Sequence, residues 1–154
     1  MKFIDMHCDS LMLATLRDKK QNIFSSDGLS VDFKKLEKGG ALAQFFAIFM
    51  PDDNTYRFLN VEPMKDEDYF NAMFEVYLKN LKEHSDIILP AHCFKDIEAN
   101  SKKGKISAFL TIEDGRMINN EEAITLTCNV LKNRLGLSLD EFEQSKERSF
   151  TDRK

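Results

Sequence analysis

The sequence has few cysteines, no excess of positive charge and no long hydrophobic segment. Its three cysteines, Cys8, Cys93 and Cys128, are an odd number without Cys-x-x-Cys spacing, which argues against a disulfide framework and favours reduced thiols. The 22 Lys and Arg against 26 Asp and Glu residues give a net charge of −4, so we expect no nucleic-acid partner and no acidic membrane partner. The longest apolar segment, residues 41–50, is far shorter than the roughly 18 residues that span a bilayer.

The N-terminal residues and the overall composition favour a cytoplasmic globular protein. Asp5, His7 and Asp9 lie where a signal peptide would need uninterrupted apolar residues, so we predict a cytoplasmic location. The 154 residues, 42% of them hydrophobic and 13 of them Phe, are enough for one domain with a substantial core. Glycine-rich phosphate-binding loops and a nucleophile elbow are absent from the sequence.

Short apolar segments alternate with segments of helical periodicity. The predicted strands cover residues 2–6, 41–50, 87–89 and 106–113, and the predicted helices cover residues 10–20, 31–38, 63–84 and 94–102. The segment 41–50 is almost continuously apolar, as in a parallel strand that is covered on both faces. This alternation predicts an α/β fold with a parallel sheet.

The last part of the sequence is ambiguous. Residues 123–127 are rich in β-branched side chains and favour a strand, whereas residues 121–135 also fit an amphipathic helix that ends at Gly136. A capping box at residues 138–141 then predicts a final charged helix to about Arg148.

Two strand ends carry candidate metal ligands. Because side chains alternate along a strand, His7 and Asp9 project to one side while Cys8 points into the packing on the other. Glu113 ends the apolar segment 106–113, and it lies in the same layer as His7 and Asp9 if the two strands are parallel.

Each of these candidates also has a purely structural interpretation. Asp9 can simply cap the following helix while His7 is hydrogen-bonded in the sheet, and Glu113 can be an exposed residue beside an Asp-Gly turn. The remaining histidines, His84 and His92, are predicted to have structural roles, since His84 lies where a cation suits the helix dipole.

Several motifs, taken in order, resemble those of the renal (membrane) dipeptidase family. The similarity extends over about residues 2–120 and rests on Ile4-Asp5-Met6-His7-Cys8-Asp9, Val31-Asp32 with Leu36 and Gly39-Gly40, Ala43-Gln44-Phe45-Phe46, and Phe109-Leu110-Thr111-Ile112-Glu113-Asp114-Gly115. The resemblance implies a zinc-dependent metallopeptidase of the amidohydrolase type on an α/β barrel. A complete barrel typically needs about 250 residues. We therefore expect a partial (β/α) TIM-type barrel, roughly the N-terminal half, over residues 1–120, and a divergent helical tail over residues 121–154.

The resemblance also implies the ligands of a two-zinc centre. His7 and Asp9 would bind the first zinc, and Glu113 would bridge it to the second as the catalytic carboxylate, so that a metal-activated hydroxide attacks the peptide bond of a dipeptide. The second zinc in the family takes two histidines from later strands, whereas no histidine follows His92 here, and Cys128 occupies a place where histidine or tryptophan is common. The second site is thus incomplete. Phe45, Phe46 and Phe49 either line the site or pack in the core.

The predicted function is that of a zinc-dependent dipeptidase in a truncated form. The alternative is a non-catalytic remnant that self-associates, or pairs with a complementary chain, through exposed barrel edges. A third hypothesis is that the tail around Gly136 forms a helix-turn-helix-like interaction module.

Overall fold

The computed structural model describes residues 1–17, 21–113 and 116. The chain divides into two units, Met1–Asp114 and Gly115–Lys154, and every described residue except Arg116 belongs to the first. The strands are β1 (Phe3–Asp5), β2 (Ala41–Phe49), β3 (Ile88–Pro90) and β4 (Ile106–Glu113), and the helices are α1 (Ser10–Leu16), α2 (Phe33–Gly39), α3 (Asp53–Leu59), α4 (Asp66–Glu83) and α5 (Phe94–Lys102).

The four strands form one parallel sheet in the order β1-β2-β4-β3. The prediction of an α/β fold with a parallel sheet is therefore confirmed. The order is not sequential, because β4 lies between β2 and β3. Strand β3 pairs with the first residues of β4, Ile106 to Ala108. Closure of the sheet into a barrel stays a prediction, as does the division at residue 120. The predicted tail elements, 121–135 and 138–148, lie outside the described residues.

The side chains of β2 divide between the two faces of the sheet. Phe46 is fully buried on the face that helices cover, where its ring lies 5.9 Å from that of Phe33 and 6.1 Å from that of Tyr77. On the opposite face Phe45 stacks on Phe109 of β4 at 4.4 Å, and both rings are half-buried. Helices thus cover one face of β2 more completely than the other. For Phe45, Phe46 and Phe49 the sequence left open whether they line the site or pack in the core, and the structure places Phe46 in the core.

The helix ends follow local sequence signals. At α2, the Asp32 carboxylate accepts a hydrogen bond from the Lys35 backbone N–H at 2.8 Å, and Gly40 ends the helix with a φ of 79°. The long α4 has three acidic residues in its first turn, which suits the positive end of the helix dipole. Both helices agree with the prediction. Helix α1 ends earlier than predicted, at Leu16 rather than near residue 20, because Leu16 is its last apolar residue.

One helix was not predicted. After β2, the Asp52 carboxylate accepts a hydrogen bond from the Thr55 backbone N–H at 2.8 Å, and α3 runs from Asp53 to Leu59 before Asn60 ends it in the left-handed conformation. The sequence signal for this helix is the capping residue Asp52. None of the helices in the described part of the chain combines the length and the hydrophobicity that a membrane crossing needs.

Candidate metal centre

The chain after β1 is held against β2 at Cys8. The Cys8 N–H donates to the Phe45 carbonyl at 3.0 Å, and the Ala47 N–H donates to the Cys8 carbonyl at 3.1 Å. This parallel pairing sets Cys8 opposite Phe46, so its side chain turns to the helix-covered face, where it is only 6% exposed. Its neighbours His7 and Asp9 project from the other face, as the alternation of the sequence predicted.

Cys8 itself is not part of the cluster, because its side chain is buried on the opposite face of the sheet. Burial raises the pKa of its thiol, with further contributions from Asp5 and Asp9, and these outweigh the lowering effect of the hydrogen bonds with Ser10. Cys8 is thus a protonated packing residue in this structure.

The Asp9 carboxylate does not cap a helix. Asp9 occupies the N-cap position of α1, and its backbone carbonyl accepts the Leu13 N–H at 3.2 Å, but its side chain makes no capping hydrogen bond. The carboxylate turns instead to His7, with Oδ2 lying 3.4 Å from Nε2 of the imidazole. Asp9 is therefore the N-cap residue of α1, as predicted, but its carboxylate is not used by the cap.

Glu113 reaches the same imidazole from β4. It pairs in register with Phe49 at the carboxyl end of β2, and its Oε2 lies 3.7 Å from His7 Nδ1. The imidazole thus lies between two carboxylates, and one ligand atom from each of the three residues lies within 4.8 Å of the others. The side chains of His7, Asp9 and Glu113 are 50%, 43% and 52% exposed, so the cluster is open to solvent and to ions.

The geometry and chemistry of this cluster fit a divalent cation. Zinc binds imidazole nitrogen and carboxylate oxygen at roughly 2.0–2.2 Å, so ligand atoms at tetrahedral angles on one ion lie about 3.3–3.6 Å apart. Groups within 4.8 Å of one another therefore need to approach by up to about 1.5 Å, which rotation of these exposed side chains allows. One nitrogen of His7 can bind the ion, and the carboxylate that lies beside the other nitrogen must then turn towards the ion to act as the third ligand. Three protein ligands that leave a position open are typical of catalytic zinc.

The other two histidines do not join the cluster. The ring of His84, at the end of α4, stacks on Phe24 at a centroid distance of 4.0 Å. His92 lies beside α5, with its Nδ1 at 3.7 Å from the carboxylate of Asp96. Both contacts agree with the structural roles predicted for these residues.

Tyr69, a residue of α4, lies outside the cluster and was not singled out from the sequence. Its side chain is fully buried, and burial, followed by the nearby Tyr56 and Asp9, raises the pKa of its hydroxyl. The only available signal was a tyrosine within the apolar stripe of a helix, since a buried tyrosine needs a partner for its polar end.

Comparisons with known proteins agree with this fold and show the family. The sequence model of the family described as membrane dipeptidase (peptidase family M19) matches residues 1–138. The crystal structure of a metallopeptidase from Rhodobacter sphaeroides, liganded with a phosphinate mimic of the dipeptide L-Ala-D-Ala, superimposes with a TM-score of 0.68 at 18% identity, covering 84% of this chain and 43% of that one. The crystal structure of dipeptidase AC, a metallopeptidase of family M19, gives a TM-score of 0.57 at 19% identity, covering 73% and 35%.

The chain spans less than half the length of either solved structure. At these sequence identities the structural similarity shows a shared fold only. The search of curated protein sequences found no match to the chain. The family model, in contrast, matches most of the sequence, including all three residues of the cluster. The chain therefore belongs to the membrane dipeptidase family, peptidase family M19.

Proposed function

We propose that this chain carries the first zinc site of a metal-dependent dipeptidase, with His7, Asp9 and Glu113 as ligands. The observation that carries the proposal is the meeting of three potential ligands from two separate strand ends at one imidazole. Strand carboxyl ends are where α/β barrel enzymes place their catalytic groups. Family membership supplies the reaction class, and the phosphinate dipeptide mimic bound to the Rhodobacter metallopeptidase supports a dipeptide as the substrate.

Each ligand has a distinct part in the proposed site. His7 and Asp9 flank Cys8, whose backbone is held against β2 by two hydrogen bonds, so the two side chains approach an ion as a pair. Glu113 comes from β4 and closes the site from the other side of β2. As a carboxylate it has two oxygens, so it could hold the first zinc and also contribute to a second. Zinc, when bound, polarises a carbonyl and lowers the pKa of water towards about 7, which makes a protein nucleophile unnecessary.

The proposal places the second zinc site outside this set of residues. The sequence has three histidines, and two of them, His84 and His92, are engaged elsewhere. Full dipeptidase activity in this view needs two further ligands in addition to the three gathered here. Zinc binding at the first site is therefore the primary test, and hydrolysis is the second.

The test starts from metal-free protein titrated with zinc against a chromophoric chelator. We expect His7→Ala and Glu113→Gln each to lower the zinc affinity at least tenfold, or about 1.4 kcal/mol, because each variant removes one of three ligands. His92→Ala is the matched control, since His92 also lies beside a carboxylate but away from the cluster, and its affinity is expected to equal that of the wild type.

The same samples are assayed for release of free amino acids from dipeptides. Hydrolysis that disappears with chelator and in Glu113→Gln supports the dipeptidase, whereas hydrolysis that persists in His7→Ala contradicts it. Unchanged zinc affinity in both ligand variants would remove the basis of the proposal. Self-association without metal, together with no hydrolysis, would instead favour the non-catalytic remnant.

A further inference from the structure

The three phenylalanines of β2 have different surroundings. Phe46 is buried in the core, and Phe45 stacks on Phe109 at 4.4 Å. Phe49, the last residue of β2, is half-buried, and within the part of the chain that the structure describes no aromatic ring lies against it. A single partly exposed apolar side chain is ordinary in itself, so its position decides what it can do.

Phe49 lies directly beside Glu113. The two residues are paired in the parallel register of β2 with β4, so their side chains project from the same face of neighbouring strands, which lie about 4.8 Å apart. This is the face that helices cover less completely, and His7 and Asp9 project from it as well. The ring of Phe49 is therefore an apolar wall next to a ligand of the candidate metal centre.

Phe49 also lies at the end of the strand where ligands bind. Phe45 projects from the same face four residues earlier, about 13 Å deeper along β2, and its ring is already held by Phe109. In parallel α/β folds, ligands bind at the carboxyl ends of the strands. A molecule that reaches Glu113 from that end therefore passes Phe49 rather than Phe45.

We propose that Phe49 is a specificity-determining residue, whose ring contacts an apolar side chain of the dipeptide that is held at the metal site. The inference rests on the proposed function. The cluster itself offers only charged and polar groups, and Phe49 adds apolar surface directly beside it. The Rhodobacter metallopeptidase binds a mimic of L-Ala-D-Ala, a dipeptide with two apolar side chains. The substrate class is thus dipeptides with an apolar residue.

The test measures, by calorimetry, the binding of three phosphinate dipeptide mimics to the zinc-loaded full chain. The mimics correspond to L-Ala-D-Ala, L-Leu-D-Ala and L-Ala-D-Leu. One methylene in an enclosed pocket changes specificity by about 10-fold or more, and a single open wall gives less per carbon. We therefore expect the wild type to bind one of the two leucine mimics about 10-fold more tightly than the alanine mimic.

Two substitutions of Phe49 and one matched control assign this preference to the ring. Phe49→Thr suits a strand but removes the apolar wall, so it is expected to bind the leucine and alanine mimics about equally. Phe49→Leu keeps an apolar side chain and is expected to retain most of the preference. Phe45→Thr is the control, since Phe45 is also half-buried on the same face of β2 but lies deeper and is stacked on Phe109, and it is expected to retain the preference as well.

Zinc affinity of each Phe49 variant is measured with the chromophoric chelator and is expected to equal that of the wild type, because no ligand is changed. A preference for leucine that persists in Phe49→Thr overturns the inference, as does loss of the preference in Phe45→Thr. A wild type that binds all three mimics equally, or none of them, overturns it too. If zinc affinity depends on His7 and Glu113 while the preference does not depend on Phe49, the inference alone fails. If zinc affinity depends on neither ligand, the proposed zinc site fails as well.

Discussion

Replacing Asp32 by alanine tests how the segment before α2 is held to the fold. The carboxylate is only 2% exposed and accepts two backbone hydrogen bonds, from Lys35 N–H at 2.8 Å and from Ser26 N–H at 3.1 Å. The Lys35 ammonium lies 3.1 Å from the same carboxylate. One buried side chain thus caps α2 and also fastens the loop around Ser26.

The expected loss can be worked out contact by contact. Loss of a helix N-cap costs about 1 kcal/mol, and loss of a hydrogen bond to a charged group costs about 1.5–3 kcal/mol. The ion pair adds little, because the side chain of Lys35 is 47% exposed and solvent screens it. Asp32→Ala should therefore lower the free energy of unfolding by about 3 kcal/mol.

Equilibrium unfolding in urea measures this loss, and Asp52→Ala provides the control. Asp52 caps α3 through the same contact, to the Thr55 N–H at 2.8 Å, but it is solvent-exposed and holds no distant loop. The loss in Asp52→Ala should be clearly smaller. If the two variants lose the same stability, the loop contact of Asp32 contributes nothing and the reasoning is wrong.

The pH dependence gives a second measurement on the same variant. Burial by itself would raise the pKa of Asp32, but the hydrogen bonds from Lys35 and Ser26 and the charge of Lys35 outweigh it and lower the pKa. A lowered pKa in the folded state stabilises the protein above the unfolded-state value of about 3.9, and this stabilisation is lost as pH falls through the folded-state pKa. The stability difference between wild type and Asp32→Ala should therefore be full at pH 7 and shrink below about pH 4. A difference that grows in acid would contradict this assignment.

Two further predictions concern the sheet and the end of α2. Phe46→Ala should cost about 3–5 kcal/mol in urea unfolding and Phe45→Ala clearly less, because Phe46 is fully buried and Phe45 is only half-buried; equal losses would contradict the assignment of the two faces. Gly40→Ala should cost more than the 1–2 kcal/mol or so expected of its left-handed backbone alone, since a Cβ would lie 3.3 Å from the Met1 carbonyl oxygen. Gly104→Ala, with a φ of 70° and nothing within 4 Å, isolates the backbone term and should be the milder change in the same measurement.

Local signals in the sequence predict the ends of a helix correctly where one residue type determines the backbone conformation. Asp32 and Gly40 mark the two ends of α2, because an acceptor side chain is needed at one end and a positive φ at the other. The short helix α3 was missed because its capping residue, Asp52, follows a proline and looks like part of a turn. The order of the strands was not predicted either, since pairing of β2 with β4 depends on contacts between residues far apart in sequence.

Local sequence patterns likewise predict one part of the candidate site and not the other. The shared direction of His7 and Asp9 follows from the two-residue period of a strand, so the sequence alone predicted it. That Glu113 meets the same imidazole depends on the register of β4 with β2, which the family resemblance implied but local patterns do not contain.

The two backbone hydrogen bonds that hold Cys8 against β2 affect the entropy change when a metal ion binds. Ordering a free backbone residue costs about 1–2 kcal/mol, and a flexible loop would have to meet that cost for each ligand when an ion binds. Here two hydrogen bonds to β2 immobilise the peptide between His7 and Asp9 during folding, before any ion arrives. Capture then requires only side-chain rotations, so zinc affinity should depend on the integrity of β2 as well as on the ligands. A substitution that loosens the central strand would weaken metal binding without changing any group that contacts the ion.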